Sequence, residues 1–529
     1  MTSLIGRASL RGSRKKKDLS GADWCPWPHN SKWFNRISPA ELAIRLAAWI
    51  HQEWLKSGEY DEVMLVGHSL GGLIVREAYL RAMGLDSPAL TYPWAQAVHR
   101  IILFSAINRG FNPKSDWTIR PLAWVGRFLP PLRATLGWHV LKGSDFVTNL
   151  TIRWIRGFSQ IGRPPVVVQI RGANDRVVDR FDSFDMEQFP TAYYIEVPDA
   201  VHKDLFRLDT AIDPEGRYKL LRDPFINEAP LRALNITVRG AEKVIFIVHG
   251  IRADNRTWAE ETEHLIRSQW QSKEVLPIAL RYSLVSAAQF AFPPTRKRRL
   301  RDFKDAYADA LARNPGAEFE FIGHSNGTYL LGESLRCIPG MRFNRVAIVG
   351  SVLPEEFDWN MVIDRGQIQR LRSDGSCFDW PVGWLCAALR GLGQKSVGTG
   401  GFMGFLNPTD PQIKDEYYWY SGGHSAPLQS ENLPALVRFA VLGETVTPSN
   451  LGLQLRTEKV AWFAVVSRFL LRYSLILVTA LTVIWTMTTI HYGHFADWTI
   501  VALLLFIVTV VVLDVIKVFS PGICWCILF

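Results

Sequence analysis

The pentapeptide Gly-His-Ser-x-Gly occurs twice in this chain, at Gly67–Gly71 and at Gly323–Gly327. Each copy follows a short apolar run that predicts a buried strand, and each precedes residues with apolar positions at helical spacing. The chain must therefore turn sharply from strand to helix at Ser69 and at Ser325. Glycines flank each serine because such a turn crowds the backbone. This context predicts two nucleophile elbows, turns that expose a serine hydroxyl at the end of a strand.

The length of the chain fits two such units. At 529 residues it is too long for one compact core, and length alone predicts two or three domains. The organisation that we predict, in chain order, is a basic segment at 1–19, a first domain at 20–228, a second domain at 229–445, a linker at 446–472, two membrane-spanning helices within 473–519 and a tail at 520–529.

The net charge of +10 is concentrated in part in two clusters, at Arg14–Lys17 and Arg296–Arg301. Neither cluster is interleaved with aromatic residues as in a nucleic-acid module, so no nucleic-acid partner is expected. A solvated basic face is the favoured interpretation, and attraction to anionic lipid is the next. The six cysteines show no metal-binding spacing and indicate reduced, intracellular thiols, and we expect neither a metal nor a cofactor.

The C-terminal part of the chain is strongly apolar. Tyr473–Ile490 is 18 residues without a charge. Trp498–Leu513 is a second uncharged run, and it extends to Phe519 if Asp514 and Lys517 lie near the membrane interface. Each run is long enough to cross a hydrocarbon core of about 30 Å, so a two-helix transmembrane hairpin is predicted. A pair of buried core helices is the alternative.

The charges around these runs predict their orientation. No Lys or Arg occurs in the loop at 491–497, and the N-terminus has no apolar stretch typical of a secretory signal. By the positive-inside rule, the catalytic domains and the C-terminus of this multi-pass membrane protein face the cytoplasm. Four basic residues precede the first run: Arg456, Lys459, Arg468 and Arg472.

A serine hydroxyl is a weak nucleophile at neutral pH, so it needs a histidine base that is itself oriented by a carboxylate. Around an elbow of this kind the chain order is Ser, acid, His. In the first half, Asp175 and His202 each follow a predicted strand, which gives Ser69, Asp175 and His202 as the predicted triad. Asp179 and Asp182 remain open as the acid, and His202 remains open as a plain surface histidine.

The second half repeats this order. Ser325 is followed by Asp379 in a turn context and by His424 on a glycine-rich loop ahead of a predicted helix. These three residues are the second predicted triad. Three other carboxylates remain open as the acid: Asp358, Asp364 and Asp374.

The oxyanion of an acyl-transfer intermediate needs the N–H after the nucleophile and a second donor from a loop after an earlier strand. In the second half, a predicted strand leads into Gly250 and Ile251, which with Asn326 are the predicted donors. In the first half, Leu70 follows the nucleophile, but no such strand is evident before the elbow. Either another loop supplies the donor, or the first domain is weak or inactive, or the gene start is placed too far downstream.

On these elbows and this residue order, both halves resemble the α/β-hydrolase superfamily in its esterase and lipase-like branches. The likeness covers roughly residues 20–225 and 240–445. It implies an α/β fold with two domains, each a mostly parallel sheet flanked by helices with its active site at the carboxyl ends of the strands. The first half departs from the family pattern by its missing first strands.

Two insertions interrupt the pattern. The first, at 111–163, contains four tryptophans and resembles a cap over the site, where aromatic side chains would suit an acyl chain or form the core of the cap itself. The second, at 381–417, contains the run Gly398–Phe402, which matches no phosphate-binding motif and indicates a flexible loop near His424.

The function that these features predict is a membrane-anchored serine hydrolase that cleaves acyl or lipid esters. The acyl-enzyme would form on Ser325, and on Ser69 if the first domain is active. An acyltransferase would use the same triad with another acceptor. A partly degenerate hydrolase fold that acts as a membrane scaffold is the third possibility.

Overall fold

The computed structural model describes two compact units. The first comprises Met1–Glu242, Pro293–Ala317 and Cys337–Met341, and the second comprises the remaining segments. The domain boundaries at 20–228 and 229–445 stay predictions. The described residues are 4–7, 22–28, 35–56, 60–85, 91–112, 135–158, 160–178, 192–226, 240–250, 258–280, 287–406 and 417–447, with Val466, Tyr473 and Thr482.

The first unit is built on a six-stranded sheet. Its strands are β1 (Leu4–Arg7), β2 (Trp24–Pro26), β3 (Val63–His68), β4 (Val98–Phe104), β5 (Val166–Gly172) and β6 (Ala192–Val197). Their order across the sheet is β2-β1-β3-β4-β5-β6, and β3 to β6 are parallel. Strands of a parallel sheet are buried on both faces, which explains the almost continuous apolar sequence of β3, β4 and β5.

The N-terminal segment differs from expectation. Strand β1 lies within the basic segment predicted at 1–19, and it pairs with β3, the strand that precedes Ser69. The pairing is antiparallel, with Leu4 opposite Val66 and Arg7 opposite Val63. The edge of the elbow strand is therefore covered, although the sequence predicted missing strands. A four-residue strand is too short for alternation of apolar residues to reveal it.

Helices flank both sheets. In chain order, the described α-helices are α1 (Pro39–Lys56), α2 (Leu70–Ala82), α3 (Leu136–His139), α4 (Asp145–Phe158), α5 (Pro214–Ile226), α6 (Trp258–Gln269), α7 (Ala287–Ala291), α8 (Pro293–Arg313), α9 (Asn326–Cys337), α10 (Trp359–Asp364), α11 (Ala387–Gly391), α12 (Gly400–Met403) and α13 (Leu433–Leu442). A π-helical turn spans Pro381–Cys386, and short 3-10 turns span Pro93–Ala95 and Ala426–Leu428.

Helix α4 falls within the predicted cap at 111–163. It packs against α2, and its Trp154 is fully buried, with the Arg76 guanidinium 4.7 Å from the centre of the indole ring. This part of the insertion therefore contributes to the core of the first unit, because Trp154 packs against Arg76 and Tyr79 of α2. Residues 113–134 of the predicted cap lie outside the described residues.

The second unit is also built on a six-stranded sheet, in which every pairing is parallel. Its strands are β7 (Lys243–Val248), β8 (Val275–Leu280), β9 (Glu318–His324), β10 (Phe343–Val349), β11 (Ile368–Phe378) and β12 (Tyr417–Gly423). Their order is β12-β11-β10-β9-β7-β8. Both units thus have the α/β architecture that the sequence predicted, with the parallel strands ending at one edge of each sheet.

The glycine-rich run at Gly398–Phe402 is not the loose loop that the sequence indicated. Its last three residues belong to the short helix α12, and the run packs tightly against the segment after β10. A Cβ atom on Gly401 would lie 2.1 Å from the backbone nitrogen of Ser351. The glycines therefore allow two backbones to approach each other closely.

Among the described residues, no helix is both long and apolar enough to cross a membrane. The predicted hairpin at 473–519 lies outside the described residues, except for Tyr473 and Thr482.

Candidate active sites

Both serines adopt the backbone conformation of a nucleophile elbow. Ser69 lies between β3 and α2 with φ 54°, and Ser325 lies between β9 and α9 with φ 52°. A positive φ costs a residue with a Cβ atom about 1–3 kcal/mol, so the surroundings must hold it. In both units the serine N–H donates to the end of the neighbouring strand, to Phe104 O and to Val349 O respectively, each at 2.9 Å.

The glycines of the two elbows are not equally constrained. A Cβ atom on Gly67 would lie 2.8 Å from the carbonyl oxygen of Gly71, and one on Gly327 would lie 2.4 Å from that of Val248. By contrast, a Cβ atom on Gly71 would meet no atom within 4 Å. The predicted requirement for glycine therefore has a steric basis at Gly67 and Gly327 but not at Gly71.

The structure brings Ser69, Asp175 and His202 together in the first unit. His202 Nε2 lies 3.1 Å from Ser69 Oγ, and His202 Nδ1 lies 2.9 Å from Asp175 Oδ2. The other oxygen of Asp175 accepts the N–H groups of Val177 and Val178, each at 2.9 Å. The carboxylate is thus fixed by the turn after β5, and it holds the imidazole with one ring nitrogen toward the serine.

The electrostatics of Asp175 favour its ionised form. Burial alone would raise the pKa of Asp175, but the hydrogen bond and charge of His202, with the N–H of Val178, lower this pKa below its ordinary value. An ionised carboxylate behind the imidazole stabilises the imidazolium that forms when the ring takes a proton.

The second unit holds the same acid and base in the same relation. His424 Nδ1 lies 2.7 Å from Asp379 Oδ2, and Asp379 Oδ1 accepts the N–H of Val382 at 3.0 Å. The Asp379 side chain is fully buried. Although all three residues are described, no hydrogen bond joins His424 to Ser325. In the second site, the acid and the base are therefore in contact with each other, whereas the base and the nucleophile are not.

The alternative carboxylates of the second unit have other roles. Asp358 caps the N-terminus of α10 by accepting the Met361 N–H at 2.9 Å, and Asp364 is the last residue of that helix. Asp374 is buried within β11, where it accepts hydrogen bonds from Arg372. The alternatives of the first unit, Asp179 and Asp182, lie outside the described residues.

The loop after β7 passes directly beside the second nucleophile. A Cβ atom on Gly250 would lie 2.7 Å from Ser325 Cβ and 3.2 Å from Ser325 Oγ, so only glycine fits there. Asn326 is the first residue of α9, and Ile251 lies outside the described residues. This close approach is what a backbone donor to an oxyanion requires.

The first unit has no equivalent loop among its described residues. Leu70 begins α2 directly after the nucleophile, as Asn326 begins α9. However, the strand beside β3 is β1, which is antiparallel, so its carboxyl end lies at the opposite edge of the sheet. The asymmetry that the sequence indicated between the two oxyanion sites is thus present in the described residues.

The sequence reasoning missed two histidines. His68 and His324 precede the two serines, and each ring faces the predicted base, with centroids 5.2 Å from His202 and 4.4 Å from His424. Burial, reinforced by His202, lowers the pKa of His68 to about 4, and burial also holds the pKa of His324 well below its ordinary value. The repetition of His before Ser in both elbows was the signal that could have found them.

Chemically, each unit offers a hydroxyl at a strained turn, an imidazole and a buried carboxylate. This set can remove the serine proton and pass it to a leaving group. Among the described residues, no group of three or more His, Cys, Asp or Glu side chains is placed to hold a metal ion.

No protein-family model matches the sequence, and a search of curated proteins finds no match. Among solved structures, a monoacylglycerol lipase from Paleococcus ferrophilus is similar at 17% identity, over 36% of this chain and 74% of that one, with a TM-score of 0.22. A malate-bound esterase from Thermogutta terrifontis is similar at 14% identity, over 31% and 65%, with a TM-score of 0.18. Scores this low say nothing about the reaction, which has to be inferred from the sites themselves.

Proposed function

We propose that the chain is a membrane-anchored serine hydrolase of the α/β-hydrolase kind that cleaves carboxylic esters of acyl or lipid substrates. The observation that carries this proposal is the pair of contacts made by His202 in the first unit, where it lies within hydrogen-bonding distance of both Ser69 and Asp175. The backbone strain at Ser69 supports it, because a positive φ at a serine between strand and helix is typical of a nucleophile elbow.

The reaction follows from these contacts. His202 Nε2 takes the proton of Ser69 Oγ as the oxygen attacks the ester carbonyl, and the imidazolium is stabilised by Asp175. The protonated ring then gives this proton to the departing alkoxide, which leaves an acyl-serine. Water, deprotonated by the same ring, attacks the acyl-serine; its proton returns to Ser69 Oγ, and the acid is released.

The second unit supports the same chemistry on Ser325, with His424 as base and Asp379 as acid. Its Gly250 loop and the N–H of Asn326 are the proposed oxyanion donors, together with Ile251. A small movement must bring His424 into hydrogen-bonding distance of Ser325 before reaction, and substrate binding often tightens such contacts. In the first unit the N–H of Leu70 is one proposed donor.

Membrane attachment is part of the proposal and is supported by the sequence. The apolar runs within 473–519 would form the anchor, and the basic residues before them would keep both catalytic domains on the cytoplasmic side. An acyl lipid in the same membrane would then be within reach of the sites.

The proposal is tested by labelling the purified full-length chain with a fluorophosphonate, which reacts with activated serines. Ser69→Ala and Ser325→Ala are each expected to remove part of the label, and the double variant to remove all of it. Loss with only one variant would limit the activity to that unit. A folded wild-type chain that takes up no label and hydrolyses no short-chain ester would contradict the proposal.

A further inference from the structure

The histidine before each nucleophile is packed against the proposed base in both units. The rings of His68 and His202 are inclined by 38°, and those of His324 and His424 by 41°. His324 is buried and His68 is half-buried. The same arrangement arises twice on two separate sheets, so it is not an accident of one packing environment.

Each of these elbow histidines is also held from a second side by an aromatic ring. Phe206 packs edge-on against His68 at 5.5 Å, and Phe206 in turn packs against Phe104 at 4.8 Å. In the second unit, Trp258 packs edge-on against His324 at 6.2 Å. Edge-to-face contacts of this kind favour one orientation of a ring, so they favour one face of each elbow histidine toward the base.

The two sites differ in one contact. His324 Nε2 lies 3.4 Å from the backbone oxygen of His424, where it can donate a hydrogen bond to the main chain of the base. His68 Nε2 is buried and has no hydrogen-bond partner among the described residues. The backbone of His202 still acts on His68 as that of His424 acts on His324, since each opposes the effect of burial on the pKa. The two contacts therefore differ in closeness and not in kind.

We propose that His68 and His324 are positioning residues, which fix the ring of the base beside the nucleophile. This inference rests on the proposed function, since it assigns a role relative to His202 and His424. A second positive charge beside the imidazolium would oppose its formation, so a neutral ring suits this position.

The charged and titratable groups around these rings act in both directions on the pKa, and burial outweighs those that favour a charge. His68 faces His202 and Asp175, and His324 faces His424 and His249. Burial dominates in both cases and lowers the pKa of each elbow histidine below the range in which esterases of neutral pH operate.

The test uses the full-length chain with one site silenced at a time. In a Ser69→Ala background, His324→Phe keeps an aromatic ring but removes the donor, whereas His324→Gln keeps a donor near the position of Nε2. The rate of fluorophosphonate labelling is expected to fall about 10- to 100-fold in His324→Phe, because a small displacement of the base costs this much, and to recover in part in His324→Gln.

In a Ser325→Ala background, the expected order differs. His68→Phe keeps the ring contact that His68→Ala removes, so it should slow labelling less than His68→Ala. The final amount of label reports the folded fraction, whereas the rate reports the position of the base. The acid limb of the rate against pH, which follows the base, should shift in the slowed variants, as a purely structural role would not require.

The matched control is His264→Phe, because His264 is exposed on α6. Wild-type rates with full final labelling in His324→Phe and His68→Ala would overturn the inference while leaving the proposed function intact. A His324→Gln rate no better than that of His324→Phe would overturn the role of the main-chain hydrogen bond. Absence of label in the unmutated sites would instead count against the proposed function.

Discussion

At the scale of single residues, the two units solve the same steric problem with different side chains. The residue after the strand next to the elbow strand has a positive φ in both, 40° at Ser105 and 50° at Gly350. In the second unit this backbone touches the proposed base. A Cβ atom on Gly350 would lie 2.8 Å from His424 Cε1 and 3.3 Å from Asp379 Oδ2. The first unit accommodates a side chain there, so the two sites do not share one interchangeable geometry.

We therefore expect Gly350→Ala to displace His424. The substitution adds a Cβ atom at a positive φ and against the imidazole, which predicts a loss of about 1–3 kcal/mol of stability and at least tenfold slower labelling of Ser325. Labelling rates in a Ser69→Ala background check this. Ser105→Ala is the matched substitution in the first unit, because a Cβ atom is already present there and the change removes only the hydroxyl, which lies near enough to Asp175 to lower its pKa. Equal effects of the two changes would contradict the steric argument.

The depressed pKa of His68 predicts a pH dependence of stability. Its value of about 4 in the folded state lies below the ordinary 6.5, so the unfolded chain binds more protons between these values. The free energy of unfolding of the first unit should rise with pH across this window and fall as the pH drops toward 4, by up to about 3 kcal/mol. This free energy is measured by urea denaturation at several pH values, with brief proteolysis at each urea concentration to detect cleavage within the first unit. In His68→Phe, the rise of the free energy of unfolding between pH 4 and 6.5 should become smaller. An unchanged dependence on pH in this variant would contradict the prediction.

At this scale the sequence predicted which side chains belong together. Ser69, Asp175 and His202 were found from chain order, because a serine nucleophile requires a base and an acid whatever the details of packing. The packed histidines and the clash at Gly350 depend on contacts between distant segments, and no local pattern contains them.

At the scale of elements, the two sheets differ most beside the elbow strand. Strand β7 is parallel to β9 and delivers Gly250 to the serine, whereas β1 is antiparallel to β3 and cannot deliver its following loop to that edge. Strand β7 was predictable from sequence, because five of its six residues are apolar. The four-residue β1 was not, since its place is decided by long-range pairing and not by local propensity.

Strand β11 carries a buried ion pair whose energetics can be tested. Arg372 Nε donates to Asp374 Oδ1 at 2.9 Å, both side chains are fully buried, and the guanidinium lies 4.5 Å from the centre of the Tyr418 ring. Arg372→Met would leave the Asp374 carboxylate with the Tyr420 hydroxyl as its hydrogen-bond donor and no opposite charge. Removal of one member of a buried pair costs about 3–5 kcal/mol. The second unit should unfold at correspondingly lower urea, as followed by the loss of Ser325 labelling.

The double variant Arg372→Met with Asp374→Leu provides the control for this prediction. Replacing both charges by apolar side chains removes the uncompensated carboxylate, and such replacements are often neutral or stabilising. Most of the lost stability should therefore return. Because the buried Tyr420 hydroxyl hydrogen-bonds to both side chains, Tyr420→Phe is added to the double variant. A triple variant as unstable as Arg372→Met alone would show that the loss comes from packing around Tyr418 and not from the unpaired charge.

At the scale of the whole molecule, each unit has its own sheet, its own elbow and its own acid–base pair. All of the residues assigned to chemistry lie before residue 448, whereas the predicted membrane hairpin follows at 473–519. If the C-terminal runs serve only as an anchor, catalysis and attachment should be separable. This separation concerns the chain as a whole, because it requires that both units fold without the apolar segment.

A chain that ends at Thr447 tests this separation. It keeps α13 and every described strand, so both serines should label at rates close to those of the full-length chain. The full-length chain is expected to stay with membranes after a carbonate wash, since two apolar spans insert stably, whereas the shortened chain should be released. A shortened chain that remained in the washed membranes would contradict the hairpin anchor and point to attachment through the catalytic units. A released chain that labelled at neither serine, although folded by circular dichroism, would show that the C-terminal segment supports the sites themselves.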